Sequence, residues 1–121
     1  IFAVDVLKRH KASLAWLQKM LLRQTQPALV VTHHSPTPAN LHPQFNDISN
    51  SWFNSALDRL LDNQRVAAWI CGHNHHNAQV MAGVRERKVP VCSNQRGYPG
   101  EWAKLSGFGW DVSVTIDGRW K

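Results

Sequence analysis

The sequence predicts an α/β fold with mixed strands, on three observations. There is an amphipathic helical stripe near its start, a set of short β-branched apolar runs after it, and an alternating apolar–polar segment near its end. The stripe is Leu7, His10, Leu14, Leu17 and Leu21, whose three-and-four spacing turns one face of a helix over residues 5–23 toward a core. Pro27 closes that helix. Ala28 to Thr32 is an apolar, β-branched run bounded by a proline and by polar residues, the pattern of a buried strand. Residues 35–50 hold Pro36, Pro38 and Pro43 with several Asn and Asp residues, too many breakers for regular structure, and a loop of this length in a compact domain tends to wrap a site. Phe53, Ala56, Leu57, Leu60 and Leu61 recur on one face and predict a second helix over residues 51–62.

Residues 66–71 form the next apolar run, and residues 78–84 and 89–92 read as strands joined around Gly83 and a basic turn. Pro90 is expected to push the last of these toward an edge or a bulge. Trp110, Val112, Val114 and Ile116 alternate with polar residues and predict a two-faced strand, followed by a hairpin-type turn at Asp117-Gly118.

At 121 residues the chain can bury roughly two-thirds of its unfolded surface and so hold a core. A hydrophobic fraction of 43% and a charged fraction of 18% exclude disordered and fibrous classes. No apolar run approaches the ~20 residues that span a bilayer, and the first residues have no signal-peptide pattern, so no membrane partner and a cytoplasmic location are expected. The net charge of +6 is spread along the chain without a basic stripe interleaved with aromatics, so nucleic acid is not indicated. The local concentrations, Lys8-Arg9 with Lys11 and Arg85 with Arg87-Lys88, read as solvated faces. Cys71 and Cys92 end strand-like runs and read as free, small core residues.

Five of the seven histidines fall in two clusters, His33-His34 and His73-His75-His76, and each cluster begins where a buried strand ends. Ligands of α/β sheets gather outside the carboxyl ends of strands, so the two clusters are candidates for one shared site. In an extended backbone His73 and His75 project to the same side and His76 away from it. Gly72 allows an unusual dihedral or a close backbone approach just before them. Convergent neutral imidazoles suit a transition metal. His10 and His42 lack such a context and are read as packed or solvated.

Val30-Val31-Thr32-His33-His34-Ser35-Pro36, then Cys71-Gly72-His73-Asn74-His75, then Ser93-Asn94-Gln95-Arg96-Gly97-Tyr98 resemble, in that order, the last motifs of the calcineurin-like metallophosphoesterases. The resemblance implies an αββα sandwich, two sheets flanked by helices, with residues 1–121 forming the C-terminal part of one such domain. It implies hydrolysis of phosphoric monoesters or diesters at a dinuclear site holding two divalent transition metal ions, Mn, Fe or Zn. His33 and His73 would bind one ion and His75 the other. His34, Asn74, Arg96 and Tyr98 remain as candidates for substrate contact. For the last two there is a structural alternative, with Arg96 paired to a carboxylate and Tyr98 packed in the turn before Pro99-Gly100.

The family's Asp-x-His, Gly-Asp and Gly-Asn-His motifs do not occur in this sequence, whose eight acids include no Asp-x-His or Gly-Asp. The general acid and the bridging carboxylate are therefore not in this chain, and the missing N-terminal half of the domain is its expected partner. Alone, the chain is expected to be inactive and to expose apolar strand edges and faces. A different reading is a stand-alone mononuclear module in which His33, His73 and His75 hold one ion without catalysis.

Overall fold

The computed structural model describes residues 2–42, 54–100, 107–114 and 116. The first helix, α1 (Ala3–Arg23), starts with Asp5 accepting a hydrogen bond from the Phe2 backbone N–H at 3.3 Å and ends with Arg23 in its last turn. Both charges complement the helix dipole. Leu21 is buried and Leu14 and Leu17 are half-buried, whereas Leu7 and His10 are exposed. The predicted stripe therefore reaches the core only over its C-terminal half. A 21-residue helix runs about 31 Å and the four-residue strand after it about 13 Å, so the first turns overhang the sheet.

Four strands follow: β1 (Ala28–Val31), β2 (Val66–Ile70), β3 (Gln79–Ala82) and β4 (Val89–Cys92). They form one sheet in the order β1-β2-β4-β3, with β1, β2 and β4 parallel and β3 antiparallel to β4. The mixed α/β architecture and the mixed strands agree with the sequence. Register aligns Val30, Trp69, Val91 and Val80 across the sheet, so these side chains share one face. Leu21 of α1 and Leu61 of α2 (Asp58–Leu61) join that face in a core with Trp69 at its centre, the largest of the fully buried side chains. On the opposite face Leu29, Val31, Ile70 and Met81 are exposed.

Several expectations are corrected. The second helix is confined to Asp58–Leu61, and residues 51–53 of the expected span lie outside the described residues. The backbone N–H groups of Ser55 and Leu57 donate to Ser35 O and Pro36 O, each at 2.8 Å, so this stretch pairs with the loop instead of coiling. Pro90 sits in an internal strand, not at an edge. The Ser93 N–H to Ala78 O bond sets the phase of the β3–β4 ladder so that residue 90 has its nitrogen on the β2 side, and pairing with β2 begins only at Val91. The missing N–H thus takes no bond from the β3–β4 ladder. The Arg87 guanidinium donates to Val66 O as well as to Leu61 O and Asn63 O, so Arg87 is a structural clasp and not part of a solvated face.

Gly83 turns β3 into the basic loop with φ 140, and a Cβ there would lie 2.9 Å from Arg87 O. Only glycine fits. Residues 110–114 and 116 do not form the predicted strand; Trp110, Val112 and Ile116 are exposed, and alternation alone supplies no neighbouring edge to pair with. The predicted turn at 117–118, and residues 43–50 of the long loop, lie outside the described residues. Among the described residues no helix is long and apolar enough to cross a membrane.

Candidate functional site

Because β1, β2 and β4 are parallel, their carboxyl ends arrive at one edge of the sheet. The ladder continues beyond the strands: Thr32 N–H donates to Ile70 O at 3.0 Å, Gly72 N–H to His33 O at 2.9 Å, and Cys71 N–H to Cys92 O at 2.9 Å. The three motif segments seen in the sequence, beginning at Val30, Cys71 and Ser93, are thereby laid side by side.

Side chains then fix the turns. The Thr32 hydroxyl donates to His34 O at 2.7 Å and accepts from Trp69 Nε1 at 2.8 Å, which ties the histidine turn to the core. Ser35, Pro36, Thr37 and Asn40 are buried, and Thr37 Oγ1 donates to Asp58 Oδ1 at 2.7 Å. Asn40 ends a 3-10 turn, Pro38–Asn40; its Nδ2 donates to Cys71 Sγ at 3.1 Å and Ser93 Oγ at 3.4 Å, and its Oδ1 is buried without a partner among the described residues.

In the histidine loop, His73 has φ 71 and His75 φ 50. Asn74 N–H donates back to Gly72 O at 2.9 Å, making His73 the centre of a γ-turn. Left-handed conformations at non-glycine residues cost about 1–3 kcal/mol each and persist where the surroundings over-determine them. The extended geometry that would send His73 and His75 to one side is therefore not adopted. The unusual dihedrals fall on the histidines and not on Gly72, where a Cβ would make only ordinary 3.6 Å contacts with Gln95 Oε1 and His33 O.

The rings sort into three groups. His33, His34 and His73 are mutual neighbours, with centroids 5.0 Å apart for His33–His34, 4.7 Å for His33–His73 and 4.4 Å for His34–His73. His75 instead lies edge-on to Tyr98 at 4.6 Å, and His76 to His42 at 5.0 Å. Two imidazoles bound to one ion through ~2.1 Å bonds at 90–110° would have centroids about 4.5–5.2 Å apart, so the His33–His73 spacing fits two positions of one coordination sphere. Among the described residues no group of three or more His, Cys, Asp or Glu side chains is arranged to hold a metal ion. Partial burial, and then His73, His33 and His10, push the His34 imidazole below its usual pKa, toward the neutral form. Burial and then His42 do the same to His76.

Of the residues proposed for substrate, His34 lies in the first ring group and Arg96 and Tyr98 are exposed. Asn74 lies further in. It is buried, its Nδ2 donates to Asn40 O at 2.6 Å, and its Oδ1 accepts from Gln95 Nε2 at 2.6 Å and His76 N–H at 3.2 Å, so the amide is engaged inside the loop. Sequence reasoning missed Asn40, Ser93 and Gln95 as parts of the site's frame. The one available signal was the density of amide side chains within and beside the motifs. Cys71 and Cys92 are free and buried, as expected. A groove of about 1180 Å³ between α1 and the β1 side includes His10, His33, His34 and Leu57 in its lining.

The chain is 26% identical over 105 residues to an uncharacterized protein of Acanthamoeba polyphaga mimivirus, a match covering 80% of this chain and 36% of that protein. It thus spans about a third of the length of that curated relative. No solved structure matches. The model of the calcineurin-like phosphoesterase family matches residues 2–77, which is more than half of the chain and takes in the parallel strand ends that carry His33 and His73. The chain belongs to the calcineurin-like phosphoesterase family.

Proposed function

We propose that this chain supplies the histidine ligands of a dinuclear, divalent-metal phosphoester hydrolase and forms the C-terminal part of its domain. The observation that carries the reading is the juxtaposition of His33 and His73, 4.7 Å apart across adjacent parallel strand ends, in a chain of this family. His33 and His73 hold one ion and His75 the other. Bound divalent ions of the Mn, Fe or Zn type would supply Lewis-acid stabilisation of the phosphoryl oxygens. The imidazole of His34 stands beside this pair, where it can meet substrate. Arg96, exposed on the segment after β4, can take two phosphoryl oxygens through its planar guanidinium. The exposed apolar sheet face and the greater length of the viral relative support a remainder of the domain that brings the carboxylate and general-acid groups.

The test is metal content together with hydrolysis of an aryl phosphate by the full-length protein. Two ions per chain and turnover are expected. His75→Ala should retain one ion and lose at least about 100-fold in kcat/KM, because even an outer partner of a ligand costs about 10–100-fold. One tightly held ion without hydrolysis would overturn the reading in favour of a mononuclear histidine module.

A further inference from the structure

We infer that Gln95 is a positioning residue for His75, acting through an amide clasp that folds the histidine loop around its side chain; this rests on His75 being a metal ligand. Gln95 Oε1 accepts the His75 backbone N–H at 3.1 Å. Gln95 Nε2 donates to Asn74 Oδ1 at 2.6 Å and to His76 O at 3.2 Å. The glutamine is itself held in place: Asn77 Oδ1 accepts from Gln95 N–H at 2.5 Å and Asn77 Nδ2 donates to Gln95 O at 2.7 Å. Asn74 carries the clasp on to Asn40 O. A residue delivered by β4 thus fixes the backbone on both sides of His75, in a loop anchored to β2.

The side chain is placed to hold, not to bind substrate. Both donors of the Gln95 amide are in use, and its oxygen accepts the His75 N–H. His75 at φ 50 needs such over-determination, since an unconstrained histidine would relax out of the left-handed region. His73 is held differently, by the Gly72 N–H bond to His33 O and by its γ-turn. Loss of Gln95 therefore acts on the His75 side of the site and spares the His33–His73 side.

Two measurements on the full-length protein test this: backbone amide exchange without metal, and Co²⁺ titration. In Gln95→Leu, which keeps a side chain of roughly similar bulk and removes the hydrogen bonds, the His75 amide should exchange at least about tenfold faster while Trp69 and Val91 amides keep their wild-type rates. The ion at His75 should bind about 10–100-fold more weakly and the ion at His33 and His73 within about twofold of wild type. Gln95→Glu sets an acceptor against Asn74 Oδ1 and His76 O and should likewise speed exchange of the His75 amide. An unchanged His75 exchange rate in Gln95→Leu, equal weakening of both ions, or equally accelerated exchange at Trp69 and Val91 would each overturn the inference. Wild-type protein that takes up no second ion would instead defeat the assignment of His75 as a ligand, and the exchange arm would still decide whether Gln95 holds that loop.

Discussion

Replacing Arg87 by methionine removes a guanidinium while keeping most of its apolar stem, and the structure sets the size of the loss. Nη1 donates to Leu61 O at 3.3 Å and Asn63 O at 3.1 Å, and Nη2 donates to Val66 O at 2.5 Å. Hydrogen bonds from a charged donor contribute about 1.5–3 kcal/mol each, but these three share one half-buried group, and Asn63 O retains the Val66 N–H at 3.0 Å. Allowing for that sharing and for solvent screening, Arg87→Met should cost about 2–4 kcal/mol. With a urea slope of about 1.5 kcal/mol/M the midpoint should fall by roughly 1.3–2.7 M. Arg87→Lys keeps the charge but not the fork, and should recover less than half of the loss. The clasp also holds the start of β2 to the turn before β4, the pair of strands that sets His73 beside Gln95. A midpoint shift under about 0.3 M for the methionine variant, or full recovery by lysine, would refute the reasoning.

Two further outcomes follow from the ionisable groups. In the metal-stripped protein, the lowered pKa of His34 means that the folded state binds this proton less readily than the unfolded state, so its contribution to stability is complete above pH 6.5 and is lost as pH falls toward the depressed value. Urea midpoints between pH 7.5 and pH 5 should therefore fall less in His34→Gln than in wild type, and parallel pH profiles would contradict this. The Cys71 thiol is pushed up mainly by burial, against hydrogen bonds from Ser35 and Asn40, and the Cys92 thiol by burial and then by Cys71. Both should resist alkylation at pH 8 in the native state, by at least about 100-fold relative to urea-unfolded chain, and fast native labelling would show that this strand pair opens readily.

How far the sequence reaches can be judged element by element. All four strands lie within the runs predicted from β-branched apolar residues, because a buried strand has to be continuous in hydrophobicity and Pro27 and Gly83 mark its limits. The helix over residues 51–62 misled because Phe53, Ala56 and Leu57 satisfy a helical period while the backbone beyond Asn54 finds better partners in Ser35 and Pro36. The strand over 110–116 misled because a period of two says which face a strand would have and nothing about whether an edge is free to receive it.

The histidine site divides along the same line. The sequence by itself determined that His33 and His73 follow strands and are candidates for one site, since motif order and strand ends are local properties. Only the tertiary structure decided which rings meet. The adjacency of β1 and β2, both parallel, brought His34 into the His33–His73 group, and left-handed turns at His73 and His75 sent the two loop histidines to different neighbours. It also decided that the Asn74 amide bonds within the loop and that Gln95, on the segment after β4, reaches it. Hydrogen bonds between residues about twenty positions apart depend on register and backbone dihedrals, and neither is written in the pattern of one segment alone.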